Sequence, residues 1–245
     1  MLPPRRWAPT PRCEVYVGTS GWLYDWNEGL SLDWYVAYSG LNAVELNASF
    51  YRFPFRSQVL GWARRGSALR WSVKVHRSIT HLRKLGELAL ATWSKFRELF
   101  DPLDSLVDFY LFQLPPSFRC SPQNLARVES FHSRVGLGYR MAVEFRHGSC
   151  FSEPIARWAE EVGLTPVSVD SPEATWVASA SGVVYLRMHG RSSWYAHDYS
   201  YEELVEVARR VSELSPRRVY VFFNNDHWML GNARAMLKIL RELLC

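Results

Sequence analysis

The sequence predicts a single-domain α/β fold, a TIM-type (β/α)8 barrel, and three observations support this prediction. Eight short runs rich in β-branched and aromatic residues recur along the 245-residue chain, as buried parallel strands require. Longer patterns with helical periodicity separate most of these runs. No internal repeat, low-complexity tract or linker divides the chain. An open, doubly wound sheet is the alternative that the same alternation allows.

The apolar runs are the predicted strands, and the predicted helices lie between or after them. Strands are predicted over residues 15–19, 43–47, 71–76, 109–113, 141–146, 165–170, 183–189 and 219–224. Helices are predicted over residues 33–39, 56–65, 88–100, 122–134, 153–162, 201–213 and 232–243. The segment 171–182 is too short and too broken for a helix, so we expect an abbreviated crossover after the sixth strand. Residues 1–13 are predicted to form a flexible arm ahead of a barrel domain at 14–245.

The composition indicates a globular protein with a modest basic charge. Hydrophobic residues make up 48% of the chain, aromatic residues make up 15%, and the net charge is +5. Arginine supplies 25 of the 29 basic residues, and its planar guanidinium group favours phosphate and carboxylate partners. Base composition or heat adaptation produces the same bias. No apolar run approaches the ~18 residues of a membrane span, so we predict a cytoplasmic protein without membrane contact. The sequence gives no signal for an oligomeric state.

The four cysteines are far apart in the sequence. They are Cys13, Cys120, Cys150 and Cys245, and no C-x-x-C pair occurs. The spacing therefore encodes neither a zinc knuckle nor a redox dithiol. We expect all four to be reduced thiols.

Polar and apolar residues alternate at the C-terminal ends of the predicted strands. In the run 43–51, Glu45 and Asn47 share one strand face, because they are two positions apart, and Val44 and Leu46 share the other. At the other strand ends the polar face carries Lys74, His76, Gln113, Glu144, Arg146, Ser168, Asp170, Arg187, His189 and Asn224. If the apolar faces pack against the helices, the polar faces converge at the C-terminal mouth of the barrel, where barrel enzymes carry their active sites.

Seven motifs follow one another along the chain. They are Gly18-Thr19-Ser20-Gly21-Trp22, Val44-Glu45-x-Asn47-x-x-Phe50-Tyr51, Thr80-His81, Phe112-Gln113-Leu114-Pro115-Pro116-Ser117-Phe118, Val143-Glu144-Phe145-Arg146-His147, Arg187-x-His189-Gly190, and Phe223-Asn224-Asn225-Asp226 with Asn232-Ala233. In order and spacing the sequence resembles the domain of unknown function 72 family, the YecE-like proteins, from Val15 to about Leu240. The resemblance implies a TIM-type barrel and no particular activity. Cys150-Phe151 stands where the family often has Trp, so we expect an altered contact at the rim.

The predicted cavity contains equal numbers of carboxylates and cations. The carboxylates are Glu45, Glu144 and Asp170, the cations are Lys74, Arg146 and Arg187, and His76 and His189 can titrate. Because neighbouring cations repel a metal ion, this balance disfavours a hard-metal or dinuclear zinc centre. We therefore predict no cofactor, with a single metal ion on Glu144, Asp170 and His189 as the alternative.

The same residues predict acid–base chemistry on an anionic substrate. The predicted catalytic residues are Glu45, Glu144, His76, His189 and Asp170. The predicted substrate-binding residues are Asn47, Tyr51, Lys74, Gln113, Arg146, Arg187, Asn224 and Asn225, with Arg146 and Arg187 as an anion clamp. Small and amide residues at 190–193 and 225–232 match a barrel phosphate site. Alternatively, Asn232 is simply the N-cap of the last helix.

Other mechanisms receive less support from the sequence. A glycosidase needs two carboxylates within roughly 5–10 Å, and Glu45 and Glu144 are predicted on nearly opposite sides of the barrel. Lys74 could form a Schiff base, but we expect an ion pair with the neighbouring acids. No G-x-S-x-G, P-loop or G-x-G-x-x-G motif occurs, which leaves nucleophile-elbow hydrolysis, NTP cleavage and dinucleotide binding unsupported.

The leading hypothesis is an enzyme of the hydrolase, lyase or isomerase type that acts on a small phosphorylated or carboxylated substrate. The alternative is a nucleic-acid-binding or phosphodiester-processing protein similar to endonuclease IV-like barrels, because aromatic residues and arginines are interleaved in the predicted mouth loops. These residues are Trp22, Tyr24, Trp26, Phe50, Tyr51, Phe53, Trp194, Tyr195 and Trp228, with Arg52, Arg56, Arg77, Arg83 and Arg191. A binding protein without catalysis is the third hypothesis.

Overall fold

Eight parallel strands close into a barrel in the computed structural model, which describes residues 13–245. The barrel strands are β1 (Glu14–Ser20), β2 (Ala43–Leu46), β3 (Arg70–Lys74), β4 (Val107–Gln113), β5 (Met141–Glu144), β6 (Thr165–Asp170), β8 (Val183–Met188) and β9 (Arg218–Phe223), and β7 (Thr175–Trp176) lies outside the barrel. Neighbouring strands follow the order β5-β4-β3-β2-β1-β9-β8-β6, and pairing of β5 with β6 closes the ring. The predicted TIM-type barrel is confirmed.

Within residues 13–245, seven α-helices surround the barrel at positions close to those predicted. They are α1 (Leu32–Tyr38), α2 (Arg56–Arg65), α3 (Glu87–Leu99), α4 (Pro122–Val135), α5 (Glu153–Val162), α6 (Tyr201–Glu213) and α7 (Met229–Leu244). Serine side chains cap several of them: the hydroxyl of Ser121 accepts from the Asn124 N–H, and Ser200 forms a capping box with Glu203. In the described part of the chain, every helix is too short or too polar to cross a membrane.

The sixth crossover is abbreviated, as predicted. Between β6 and β8 the chain forms the short strand β7, which pairs antiparallel with β6 through Trp176 and Val169. No helix occurs between Ser171 and Gly182. The loop therefore returns directly to the barrel.

Side chains pack in two layers, one inside the barrel and one between the strands and helices. The inner layer contains Ala43, Phe109, Leu111, Ala142, Val167, Tyr185, Tyr220 and Phe222. The larger outer layer contains most of the remaining apolar residues. The inner apolar layer fills the barrel below its C-terminal mouth, so that polar side chains occupy the positions above it.

The side-chain direction predicted for β6 is wrong. Val167 belongs to the inner layer, so Ser168 and Asp170 lie on the opposite, outer face. Both are fully buried there: Ser168 donates to the Ala178 carbonyl, and Asp170 accepts from the Tyr199 hydroxyl at 2.8 Å. Both faces of a parallel barrel strand are buried, and these polar residues are satisfied on the helix side.

The last helix begins three residues earlier than predicted. Because α7 starts at Met229, Asn232 lies inside the helix and is not its N-cap. The buried Asn232 side chain accepts from Asn225 at 2.7 Å and donates to Asp198 at 3.0 Å. It therefore ties the loop before α6 to the last βα unit.

Two of the cysteines are joined, which corrects the expectation of four reduced thiols. Cys120 and Cys150 form a disulfide, with their Cα atoms 5.3 Å apart. They follow β4 and β5, so the bond links two neighbouring loops at the C-terminal end of the barrel. Cys13 and Cys245 are free. Of the predicted flexible arm, residues 1–12 lie outside the described residues, and Cys13 is buried.

Candidate active site

Arg187 is the centre of a buried charged cluster at the C-terminal end of β8. Its side chain has no exposed surface. Nε and Nη2 donate to Glu45 at 3.0 and 2.6 Å, and Nη1 donates to Glu144 at 2.7 Å. Two carboxylates thus occupy all three guanidinium nitrogens. The expectation that Glu45 and Glu144 lie too far apart for a carboxylate pair is wrong, because one guanidinium group bridges them.

The carboxylate of Glu45 is saturated with donors. Besides Arg187, the Ser20 hydroxyl donates to Oε1 at 2.8 Å and the Tyr185 hydroxyl donates to Oε2 at 2.7 Å. Ser72 lies 2.7 Å from the Tyr185 hydroxyl and completes the network. Burial and the adjacent Glu45 charge raise the pKa of Tyr185 well above its usual value, so the phenol stays protonated and keeps donating.

Glu144 is held by three side chains. Its Oε2 accepts from Arg187, and its Oε1 lies 2.8 Å from Arg146 Nε and 2.9 Å from His189 Nε2. Burial alone would raise the pKa of Glu144, but Arg146 and Arg187 outweigh burial and hold that pKa well below the usual value. Glu144 is therefore an ionised group that positions cations.

His189 is buried and neutral. Burial, followed by the charges of Arg146 and Arg187, holds the pKa of His189 well below its usual value. Since a carboxylate only accepts, we assign the ring proton to Nε2, which donates to Glu144. The other ring nitrogen, Nδ1, lies 3.4 Å from the Asn224 amide nitrogen. The imidazole is thus fixed in orientation by two neighbours.

Arg146 lies above this cluster and forms longer hydrogen bonds than Arg187. Its Nη2 donates to the Gln113 side chain at 3.3 Å, its Nη1 donates to the Tyr195 hydroxyl at 3.5 Å, and its guanidinium carbon lies 4.7 Å from the centre of the Trp194 ring. The Nε–Glu144 contact is within ion-pair distance, but the N–H is not aligned with any acceptor among the described residues. A small part of the Arg146 side chain, 8%, is exposed, so this arginine reaches the mouth.

Lys74, at the end of β3, has no carboxylate partner in the described part of the chain. Among residues 13–245, no acidic oxygen lies within 4.0 Å of its Nζ, which sits 4.4 Å from the centre of the Phe50 ring. The residue is only 8% exposed. Burial and then the Arg187 charge lower the pKa of Lys74 to about 7, although Glu144 and Glu45 act in the opposite direction. The expectation that Lys74 is an ion-pair partner is wrong.

His81 is a mouth residue that the sequence prediction missed. It lies in the helical turn Ser78–Leu82, and its ring packs edge-on against Phe50 with the centroids 5.1 Å apart. Burial, with Lys74 and Arg146, lowers the pKa of His81. The Thr80-His81 motif could have pointed to this residue. However, His81 does not lie on a strand, so the alternation of polar and apolar residues along strands could not identify it.

One turn brings two aromatic residues over the cluster. Gly190 has φ +104°, a conformation that favours glycine, and its N–H donates to the Tyr199 hydroxyl. The chain then folds back so that the Tyr195 N–H donates to the His189 carbonyl at 2.7 Å. Trp194 and Tyr195 thereby lie beside His189.

The chain matches the family model described as protein of unknown function DUF72 over residues 16–244. The chain belongs to the DUF72 family. It is 25% identical over 271 residues to the UPF0759 protein YunF of Bacillus subtilis (strain 168), with 92% of this chain and 94% of YunF covered. The resemblance found in the seven sequence motifs is therefore confirmed.

Solved structures show the same fold. A DUF72 family protein from Thermotoga maritima MSB8 is 29% identical, with a TM-score of 0.73 over 94% of this chain and 99% of that chain. A DUF72 family protein from Enterococcus faecalis V583 is 21% identical, with a TM-score of 0.76 over 92% and 95%. A xylose isomerase domain containing protein from Salmonella typhimurium LT2 is 14% identical, with a TM-score of 0.57 over 88% and 90%, and shares the barrel alone.

Asp170 does not join the cluster of this DUF72 chain. On the outer face of β6 it pairs with Arg191, whose Nη2 lies 3.0 Å away, and Arg191 also pairs with Glu206 of α6. The prediction that Asp170 points into the cavity is wrong. The single-metal alternative on Glu144, Asp170 and His189 is therefore not assembled, and within residues 13–245 no group of three or more His, Cys, Asp or Glu side chains is placed to hold a metal ion.

Several other predicted site residues lie at the rim or beneath it. His76 is half-buried and bonds to Ser78 at 2.7 Å and to the Tyr51 carbonyl at 3.3 Å, while the Tyr51 side chain is exposed. The buried Asn47 Oδ1 has no hydrogen-bond donor among the described residues. Asn225 is fully buried, and its amide nitrogen donates to Asn232 and to the His197 carbonyl. These contacts indicate a structural role and not substrate binding.

The predicted ring of mouth aromatics is only partly exposed. Trp22 is buried against Trp62 and Trp71, and Phe50 is buried beneath Lys74. In contrast, Tyr51, Tyr195 and Trp228 keep substantial exposed surface. A separate cavity of about 670 Å³ lies between α1 and α7, but we place the site at the mouth, where side chains with shifted pKa values converge.

Proposed function

We propose that this DUF72 protein is an enzyme that acts on a small anionic substrate, phosphorylated or carboxylated, at the C-terminal mouth of the barrel. One observation carries the proposal: at the mouth, the carboxylates are fewer than the basic side chains. Glu45 and Glu144 are matched by Arg187 and Arg146, which leaves Lys74 as a basic group without a carboxylate among the described residues. Because the pKa of Lys74 is about 7, its ammonium and amine forms are both present near neutral pH, and an anion bound at the mouth supplies the partner that the ammonium form lacks.

The residues divide into three groups in this proposal. Glu45, Glu144, Arg187 and His189 are already bonded to one another, so they act as positioning residues. Arg146 takes the role of anion-binding residue because its terminal nitrogens make only long bonds, at 3.3 Å to Gln113 and 3.5 Å to Tyr195, and part of its side chain is exposed. Lys74 and His81 are the groups left to move protons, since neither is bonded to a carboxylate. The sequence predicted an anion clamp of Arg146 and Arg187, but in this proposal Arg187 does not bind the anion.

Anion titration tests this assignment. Isothermal titration of the protein with inorganic phosphate and with citrate should show binding that weakens about ten- to hundredfold in Arg146→Gln, because a hydrogen bond to a charged group is lost. Arg210→Gln is the matched control, since Arg210 pairs with Glu206 on exposed α6. Equal binding by the wild type and Arg146→Gln, or no binding of either anion, would contradict the proposal.

Nucleic acid is the second candidate because stacking and cationic groups are exposed together on neighbouring loops. Tyr51 is 66% exposed, and Arg52 and Arg77 are exposed in the loops after β2 and β3, which the His76–Tyr51 bond holds together. Labelled single-stranded DNA and RNA should then bind with a steep salt dependence that is reduced in Arg52→Ala/Arg77→Ala. Absence of binding at low salt would remove this candidate.

A further inference from the structure

Lys74 differs from the other lysines of this protein. The chain contains four lysines, Lys74, Lys84, Lys95 and Lys238. Lys84 is half-buried, Lys95 is exposed, and the Lys238 side chain is 79% exposed. Lys74 alone among them is buried, and its backbone is fixed because its carbonyl accepts from the Ser49 hydroxyl at 2.7 Å.

The surroundings of Lys74 make its uncharged amine available near neutral pH. A buried ammonium group without a carboxylate is costly, and the two nearby carboxylates are committed to Arg187 and Arg146. The Phe50 ring lies on one side, and the pKa of about 7 follows from burial and the Arg187 charge. Lysines that react as nucleophiles are placed in such desolvated sites beside another cation.

We propose that Lys74 forms a Schiff base with a small carbonyl compound that also carries a carboxylate or phosphate group. The inference rests on the proposed function, because Arg146 binds the acidic group. It specifies the substrate class as an oxo acid or the phosphate ester of an aldehyde or ketone. Its geometric support is the buried amine at the end of β3, which has no carboxylate partner among the described residues, in the same mouth as Arg146, whose terminal nitrogens bond to Gln113 and Tyr195 at 3.3 and 3.5 Å.

The step needs no oxidant or reductant. The Lys74 Nζ lone pair attacks the carbonyl carbon, a C–N bond forms, and the C=O π pair moves to oxygen, which takes up a proton. The nitrogen gives up its two protons and its lone pair forms the second C–N bond as the C–O bond breaks, while the oxygen takes up a second proton and leaves, so that the products are the imine and one water molecule. His81 packs against the same Phe50 ring and is not committed to a carboxylate, which makes it the group available to exchange these protons.

Reductive trapping followed by peptide mapping tests the inference. The wild-type protein is incubated at pH 7.5 with cyanoborohydride and separately with pyruvate, glyoxylate or glyceraldehyde 3-phosphate. We expect at least tenfold more reduced adduct on the Lys74 peptide than on the Lys95 or Lys238 peptides for one or more of these probes. Adducts spread equally over the four lysines, or absent from Lys74 with every probe, would overturn it. Because the wild type is mapped directly, this result does not depend on the folding of a variant.

Variants confirm the site and separate the two proposals. Lys74→Met should lose the adduct, whereas Lys95→Met should retain it. Arg146→Gln should lower trapping of pyruvate about tenfold more than it lowers the slow trapping of uncharged propanal, because only pyruvate carries the acidic group that Arg146 binds. If phosphate and citrate bind through Arg146 but no probe is trapped on Lys74, the Schiff base is wrong and the anion site stands. If propanal is trapped on Lys74 as well as pyruvate and no anion binds, the proposed function is wrong.

Discussion

Arg187 and Glu45 form a bidentate ion pair across the barrel mouth, with Nη2–Oε1 at 2.6 Å and Nε–Oε2 at 3.0 Å, and neither side chain has exposed surface. Such a pair is strongly bonded, but it adds little net stability because both charges were removed from water. Its main effect is positional. Glu45 on β2 and Glu144 on β5 are fixed to one group on β8, which sets the shape of the mouth above them.

Removing Arg187 alone should be severe. Arg187→Met leaves Glu45 and Glu144 buried without their main cation, and breaking a buried pair in this way costs about 3–5 kcal/mol of unfolding free energy. Adding Glu45→Gln should restore much of this loss, since Glu144 then stays paired with Arg146 and no carboxylate is left without a cation. Urea denaturation measures both changes, and Arg210→Met should stay close to wild type because its ion pair is exposed. A single variant as stable as wild type would show that the cluster is not paired as described.

The Tyr185 hydroxyl should matter more than a comparable exposed phenol. Tyr185→Phe leaves the buried Ser72 hydroxyl without this partner and removes one of the two donors to Glu45 Oε2, which costs about 1–3 kcal/mol. The matched control is Tyr16→Phe, since the Tyr16 hydroxyl donates to Glu14 near the surface. Thermal and urea unfolding of the two variants give the comparison. Equal stability of the two variants would contradict a buried network around Glu45.

The fold was predictable because each barrel strand is a short apolar run and each helix has its own periodicity and caps. The inward direction of Glu45, Glu144 and Arg187 was also predictable, because successive side chains of a strand point to opposite faces. β6 was misread because both of its faces are buried, so a polar residue such as Asp170 can be satisfied against a helix as well as in the mouth.

The unpaired state of Lys74 could not be predicted from formal charges. The sequence count matched three carboxylates to three cations, but Asp170 faces away, and Arg187 takes both remaining carboxylates. Pairing depends on which groups reach each other in space, and no spacing rule contains that information. The Cys120–Cys150 bond could not be predicted for the same reason, because two βα loops bring together residues 30 positions apart.

Reducing the disulfide should destabilise the protein. Closing a loop of 30 residues removes conformational entropy from the unfolded chain, which corresponds to about 3–4 kcal/mol in the chain-entropy model. Cys120→Ala/Cys150→Ala should therefore unfold at lower urea concentration than the oxidised protein, and a reductant should not affect it further. Cys13→Ala/Cys245→Ala is the control and should keep its sensitivity to reductant. Alkylation under denaturing conditions that labels four thiols without reductant would show that the bond does not form.

The stability of the protein should depend on pH through Lys74. Its pKa is lowered from 10.5 to about 7 by burial and Arg187, with a further lowering by Arg146 and opposite effects of Glu144 and Glu45. The unfolded chain therefore binds more protons than the folded chain between these values, so the Lys74 contribution to stability is present above pH 10.5 and is lost as pH falls towards 7. Lys74→Met should be more stable than wild type at pH 7, and this advantage should shrink by about 2 kcal/mol between pH 7 and 9. Urea denaturation at both pH values measures the difference, with Lys95→Met as the exposed control. A constant difference between Lys74→Met and wild type across this range would mean that Lys74 is charged in the folded protein, and it would remove the uncharged amine on which Schiff-base formation depends.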